Sequence, residues 1–501
     1  VAIKRYYAKS DTTITNAFKE NLTTRGTGSN QGASDILEAF YIYGQANDSS
    51  QEKSRILIKF PVDLISTDRS NSVIPASGSV SWYIKMYNAP HSQTVARNSD
   101  LFISALSADW DEGYGLDMET YSDSGSANWL TATSASSGVS MWSVAGGDYF
   151  STATGSYTAS FASGLENIEI DVSQLVEDWL AAAPKKLANY GVLLRMSDTI
   201  ESATSSSYTK KFFGRNTEFW FKRPHIEARW NSAKKDDRTN FYYSSSLAPA
   251  DDNLNTIYFY NYIRGQLKNI PDVGTGPIFV KIYSGSEGTA PSPSGQPIVV
   301  FEDYKNVSAT SRGGGGTTVV TGGYDSTGIY TASLALTAAS TVLTKLVDVW
   351  YSGSTEYFTG SVIRPKLISH DAINPSVMHV TSMTNLKPVY SRYETARFRF
   401  FTRNKNWAPT IYTKAVATAK PTIIDSGSYR VYRIADGLDV IPFGTSSTLH
   451  TQMSTDASGS YFDLDISMLE SGYSYGIQLA YYNGAIGSWI EQTEKFKFRV
   501  E

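Results

Sequence analysis

Cysteine is absent from the 501 residues, which excludes disulfide staples and thiolate chemistry and points to assembly in a reducing cytoplasm. Charge is sparse: Asp, Glu, Lys and Arg make up 18% of the chain, with a formal net charge of −4. Nucleic-acid binding needs clustered cations to neutralise phosphates, so no nucleic-acid partner is expected. No run reaches the roughly 20 apolar residues that span a bilayer. The start, Val1-Ala2-Ile3-Lys4-Arg5-Tyr6-Tyr7, lacks the apolar core of a signal peptide. A soluble protein without membrane contact is expected. The five histidines, His91, His225, His370, His379 and His450, show no metal-ligating spacing. A Walker A sequence is also missing, and the glycines from Gly313 to Gly316 read as a flexible loop.

What the chain does have is aromatic weight, with 33 Tyr, 22 Phe and 10 Trp. Tyr and Thr favour pleated surfaces, and with frequent Gly turns they point to β-sandwiches. A chain of this length exceeds one ordinary core, so several domains are expected. We read three: 1–231, 232–367 and 368–501. The stretch from Glu166 to Met196 organises the first. Ile168, Ile170 and Val172 alternate as a strand does; Val172, Leu175, Val176 and Trp179 then fall on one helical face. Ser173 is the expected cap, Pro184 the expected stop, and Val192 to Met196 a returning strand. Ile56 to Phe60, Val80 to Met86 and Pro224 to Trp230 read as further strands, and 121–163 as extended surface loops.

Lys234-Lys235-Asp236-Asp237-Arg238 reads as a solvated linker. The two units beyond it share an echo: Asp325-Ser326-Thr327-Gly328-Ile329-Tyr330 resembles Asp456-Ala457-Ser458-Gly459-Ser460-Tyr461. Their size suits immunoglobulin-like sandwiches. The fold class expected is all-β, a multidomain β-sandwich with one short helix in its N-terminal module.

Three groups of residues are candidates for chemistry. Gly472-Tyr473-Ser474-Tyr475-Gly476 matches G-x-S-x-G, but the alternating Ile477 to Tyr481 after it reads as strand where a nucleophile elbow needs a helix. Asp109, Asp111 and Glu112, with Asp117 and Glu119 beyond, form an acidic loop whose hard oxygens suit calcium, or which solvates a loop around a buried Trp110. Trp110, Trp129, Trp142 and Tyr149, with Tyr157, are candidates for stacking on sugar rings, for pinning long loops down or for a protein interface; aromatic enrichment favours the interface over sugar. No pair of carboxylates stands out for glycosidase work, and no cofactor other than calcium is suggested, so a non-enzymatic role is expected.

The first domain resembles the DNRLRE family of disaggregatase-related modules. The matching residues run in order through it: Ser10-Asp11-Thr12-Thr13-Ile14, Asn30-Gln31-Gly32-Ala33-Ser34, Arg55-Ile56-Leu57-Ile58-Lys59-Phe60, Asp109-Trp110-Asp111-Glu112-Gly113 with Asn128-Trp129, Ile170 to Trp179 with Asn189-Tyr190-Gly191, Phe212-Phe213-Gly214 and Arg223-Pro224-His225-Ile226. Gln31, where Tyr is common, and a long 128–164 tract depart from the pattern. The resemblance implies a jelly-roll-type sandwich. It also implies either carbohydrate-binding and cell-surface roles or structural roles in tailed phages. The three-part, cysteine-free layout is similar to virion structural proteins of tailed phages, particularly marine myoviruses that infect cyanobacteria. On that resemblance the expected role is a multi-copy neck, tail or head-surface component. Its partners would be other virion proteins and copies of itself. The rival role is a glycan-binding adhesin or receptor-binding fibre component that contacts host-surface glycan through the aromatic loops.

Overall fold

The two apolar runs Ile56-Leu57-Ile58 and Val192-Leu193-Leu194 are too continuous for a strand with one wet face, and the fold explains them. The computed structural model describes residues 2–501 except 91–93, 121–125, 136–137, 152–154, 183–186, 206, 250, 287, 289, 303–315, 338–342, 369–377 and 408–420. The chain is almost entirely β, a multidomain β-sandwich protein. It divides into two compact units, 1–231 with 468–470 and 232–467 with 471–501.

Thirteen strands build the first unit: β1 Ile3–Tyr7, β2 Ser10–Thr15, β3 Ile36–Tyr43, β4 Gln51–Lys59, β5 Ser81–Met86, β6 Ser99–Ala105, β7 Thr131–Ala135, β8 Gly138–Met141, β9 Ser156–Phe161, β10 Ile168–Asp171, β11 Val192–Met196, β12 Ser207–Phe213 and β13 His225–Arg229. A four-stranded sheet, β1-β13-β5-β10, and a seven-stranded sheet, β12-β3-β4-β11-β6-β9 with β2 on β4, enclose the main core. Ile56 and Ile58 of β4 and Val192 and Leu194 of β11 point into that core. Leu57, Leu193 and Ile14 point the other way, into a second apolar cluster with Trp110, Trp129 and Trp142. Both faces of the central strands are therefore covered, which is why their sequence does not alternate. The 121–163 tract, expected as surface loops, is in part the lid of this second cluster, with β7 and β8 paired as a hairpin.

The strand, helix and returning strand lie where the change of period places them, with helix α2 at Ser173–Leu180 and Leu175, Val176 and Trp179 buried. The cap differs from expectation. Asp171 Oδ1 accepts the Ser173 N–H at 2.8 Å, while the Ser173 hydroxyl accepts the Trp82 N–H at 2.9 Å. Ser173 is already helical, so its side chain ties the helix to β5. The Tyr157 hydroxyl of β9 accepts the Leu175 N–H at 3.2 Å, satisfying another donor that the first turn leaves open. Pro184, the expected stop, lies outside the described residues.

Glu177 joins this helix to helix α1, Val62–Ser70. Its carboxylate accepts two hydrogen bonds from Arg69, at 2.6 and 2.9 Å, one from Ser77 at 2.8 Å and one from Trp82 Nε1 at 3.0 Å.

In the second unit the charge run is not a solvated linker. Asp236 and Arg238 are buried, and Arg238 pairs with Asp236 and, at 2.6 Å, with Asp348, which also accepts Trp350 Nε1 at 2.7 Å. The next sheet is one continuous seven-stranded curl. It is ordered Asn255–Tyr260, Ile329–Leu334, Val320–Ser326, Ile278–Ser286, Leu346–Ser352 and Thr355–Thr359, with Ser292–Ser294 on Ile278–Ser286. The strand Ile278–Ser286 carries the sheet round, because it pairs with Val320–Ser326 on one side and Leu346–Ser352 on the other. The C-terminal part has two sheets of four and five strands packed through aromatics, with Tyr429 and Phe462 stacked at 3.6 Å and 6°. The echoed sequences are both hairpin turns, with Gly328 at φ 71° and Gly459 at φ 127°, where glycine avoids a Cβ clash.

Trp179 is 2% exposed in the main core. Trp179→Ala should destabilise the first unit by about 3–5 kcal/mol. Calorimetry of the full chain checks this, and an unshifted first-unit transition contradicts it.

Candidate functional site

The acidic loop leaves β6 and runs over the outer face of the seven-stranded sheet, so its geometry follows from what lies beneath it. Asn30, fully buried, is the clip. Its Oδ1 accepts Gly32 N–H and Gly115 N–H at 3.0 Å each, and its Nδ2 donates to Ala127 O at 2.9 Å. The contact is so close that a Cβ on Gly113 would fall 2.1 Å from Asn30 Oδ1, which explains glycine there.

Asp109 and Glu112 bind different cations of the protein itself. Lys59 Nζ of β4 donates to Asp109 Oδ1 and to Trp110 O, both at 2.5 Å, and lies 5.0 Å from the Trp110 ring centre. A carboxylate and a carbonyl converging on one position is what calcium would recruit. Here an ammonium fills that position. Glu112 pairs with Arg215 at 2.7 Å and accepts the Asp11 N–H at 2.7 Å. Asp111 N–H donates to Ala132 O at 3.0 Å, so its backbone belongs to the lid. Among the described residues, no group of three or more metal-ligating side chains comes together. Asp117 and Glu119 serve the loop as well: Asp117 accepts Glu119 and Thr120 N–H at 2.8 Å, and Glu119 accepts Glu20 N–H at 2.6 Å.

The aromatic candidates are also built inward. Trp110, Trp129 and Trp142 are 1%, 7% and 5% exposed, so no indole face is presented to a sugar ring. Trp110 Nε1 donates to Tyr190 O and Trp142 Nε1 to Asn128 O, each at 2.9 Å. Tyr149 is half-buried against the same cluster, with the guanidinium groups of Arg195 and Arg55 at 5.2 and 5.8 Å from its ring. The physical reason is the doubly covered sheet: the outward face of Leu57 and Leu193 needs an apolar cover, and these rings supply it. Ser474, the centre of the G-x-S-x-G match, is exposed at the start of the strand Ser474–Asn483, with no helix after it.

Two ionic clusters were not visible in the sequence. Asp11 is fully buried beside the loop; its Oδ2 accepts Arg215 N–H at 2.5 Å, while Oδ1 has no partner among the described residues. Burial, with Glu112 adding to it against the pull of Arg215, pushes its pKa up from 3.8 to about 7. On the four-stranded sheet, buried Glu227 pairs with Arg5 and Arg229 at 2.7 Å each and lies 4.0 Å from Lys85. Burial works against this carboxylate, but Lys85, Arg5 and Arg229 hold its pKa well below the ordinary value. Burial, then Arg5, pushes His225 down to about 3, so it is neutral, and its Nδ1 donates to Arg223 O at 2.8 Å. The alternation of His225, Glu227 and Arg229 on β13 is the one signal that could have placed these groups on a common face.

No family model matches the chain, and no curated protein matches it. Among solved structures it is similar to titin domains Z1Z2 in complex with telethonin, 13% identical over 49% of this chain and 85% of that one, with a TM-score of 0.13. It is also similar to trypsin-activated alpha-2-macroglobulin from Escherichia coli, 9% identical over 89% of this chain and 24% of that one, with a TM-score of 0.15. At these TM-scores neither likeness carries an argument.

The raised pKa of Asp11 has a definite sign. Between 3.8 and about 7 the folded chain keeps a proton that the unfolded chain has released. The group's contribution to stability is therefore greatest below that window and declines as pH rises through it, by up to about 1.4 kcal/mol per pH unit. Asp11→Asn keeps an acceptor for Arg215 N–H and removes the titration. Urea denaturation of the full chain should show the variant gaining on the parent from pH 4.5 to 7.5; an equal difference at both pH values contradicts this.

Proposed function

We propose that the chain is a non-enzymatic structural component of a tailed-phage particle, an accessory protein of the neck, tail or head surface with an N-terminal module of the DNRLRE type. In this reading it is made in the host cytoplasm, is present in several copies, and acts by docking to other virion proteins and to itself. The observation that carries the reading is how the two β parts of the second unit are joined. Lys234 N–H donates to Ser454 Oγ at 3.0 Å, and Thr455 N–H donates to Lys234 O at 2.9 Å. Asp236 N–H donates to Thr455 O at 3.0 Å, and the Tyr260 and Tyr461 hydroxyls lie 3.0 Å apart. Arg397 donates to the Tyr262 hydroxyl at 3.3 Å. The residues between the sheets are thus bonded into both parts, as suits a rigid spacer and not a hinge.

The loop residues support the same reading, because the carboxylates and indoles that looked available for a ligand hold the first unit together. The glycan-binding alternative through Trp110, Trp129 and Trp142 loses its platform to their burial. Mass spectrometry of purified particles tests the proposal. The chain should co-purify with the particle in several copies; its absence from the virion contradicts a structural role.

A further inference from the structure

Asparagine followed by glycine occurs once in the chain, at Asn483-Gly484, and aspartate followed by glycine once, at Asp436-Gly437. In either pair the glycine nitrogen can attack the preceding side-chain Cγ, because no β-carbon hinders it and glycine reaches backbone angles that other residues avoid. The structure treats the two pairs differently.

Asp436 is held. Arg433 donates to both of its carboxylate oxygens, through Nε at 3.0 Å and through Nη2, and Leu438 N–H reaches Oδ1 at 3.2 Å. The Arg433 bond, working against burial, keeps the Asp436 pKa below its ordinary value. An ionised carboxylate paired in this way resists attack by a nitrogen nucleophile. Asn483 is open. It ends the strand Ser474–Asn483, pairs with Ser488 across the hairpin, and leaves Gly484 to Gly487 as an exposed turn. Its backbone carbonyl accepts Gly487 N–H at 2.8 Å and Ile486 N–H at 3.2 Å, while its side-chain Oδ1 accepts Ala485 N–H at 3.0 Å. That side-chain bond folds the carboxamide back along the turn. It also draws electron density from Cγ and offers a donor to the oxyanion that attack creates. A Cβ on Gly484 would meet nothing within 4 Å beyond its chain neighbours, so the turn is uncrowded where the ring must close.

We propose that Asn483 is a site of spontaneous covalent modification, where the carboxamide converts to aspartate and isoaspartate through a cyclic imide. The Gly484 nitrogen gives its proton to solvent base and bonds to Asn483 Cγ. The Cγ–Nδ2 bond breaks, and Nδ2 takes up a proton and leaves as ammonia. Water then opens the imide at either carbonyl, so the only co-reactant is solvent. The product carries one more negative charge, and isoaspartate adds one carbon to the main chain at the Asn483–Ser488 pair. The next pair, Tyr482 with Trp489, is braced by ring contact at 5.5 Å, so the hairpin keeps its register behind the altered turn. The site is independent of the docking role proposed above and stands or falls separately.

Peptide mapping of the full chain by mass spectrometry tests it, after incubation at mildly alkaline and, in parallel, mildly acidic pH. The peptide carrying Asn483 should gain the mass of a carboxamide-to-carboxylate exchange ahead of every other asparagine. Conversion should be faster at the higher pH, with isoaspartate as the main product, while Asp436 stays unchanged. Hydroxylamine, which traps the imide, should cleave the incubated chain between Asn483 and Gly484. Gly484→Ala, whose added methyl enters open space, should slow conversion about tenfold, or about 1.4 kcal/mol on the barrier, in a chain that melts like the parent. Conversion of Asn483 no faster than that of other asparagines overturns the proposal. So does aspartate without isoaspartate, isomerisation of Asp436 at an equal rate, or an unchanged rate in folded Gly484→Ala.

Discussion

One carboxylate holds the first unit's architecture in register. Glu177 sits where two short helices and the four-stranded sheet meet, and it accepts donors from Arg69 on α1, Trp82 on β5 and Ser77 between them. Arg69 lies 5.8 Å from the Trp82 ring, so the same cation also covers the indole. Burial would raise the Glu177 pKa, but the bonds from Arg69, Ser77 and Trp82 outweigh it and hold the group below the ordinary carboxylate value. Its contribution is therefore present at neutral pH and is lost as pH falls through the folded-state value. Neither helix is long enough to be stable alone. Their position depends on this node and on the apolar face of Leu175, Val176 and Trp179 below it.

The same economy of charge runs through the chain. With 18% charged residues, the protein places much of its ionic chemistry inside: Glu227 among Arg5, Arg229 and Lys85, Arg55 with Glu201 at 2.8 Å, Arg238 with Asp348 at 2.6 Å. Such pairs add little net stability over apolar packing, but breaking one leaves a buried charge exposed to no solvent, which penalises alternative arrangements. A chain built this way keeps its sheets in fixed register.

The strands were legible because their periodicity is local, and the doubly buried β4 and β11 announced themselves by unbroken apolar runs. The change from period two to a helical face at Val172 placed α2 correctly. The cap was misassigned because Ser173 is a good cap by type, whereas it is already helical and Val172 holds the N-cap position with no side-chain cap bond. Lys59 at the candidate calcium position was not legible, since it is 50 residues from Asp109 in sequence. Nor was the burial of the charge run at 234–238, whose Arg238 meets Asp348 110 residues away. Trp110, Trp129 and Trp142, read as candidates for a sugar or a partner, pack over Leu57 and Leu193.

A double-mutant cycle between Glu177→Gln and Arg69→Met, read by urea unfolding of the full chain at pH 7, tests the central node most directly. If Glu177 joins the two helices to the sheet, the coupling energy should be about 1–3 kcal/mol. It should also shrink at a pH low enough to protonate the folded carboxylate. A coupling near zero, with each single variant costing only what a surface substitution costs, would contradict the account.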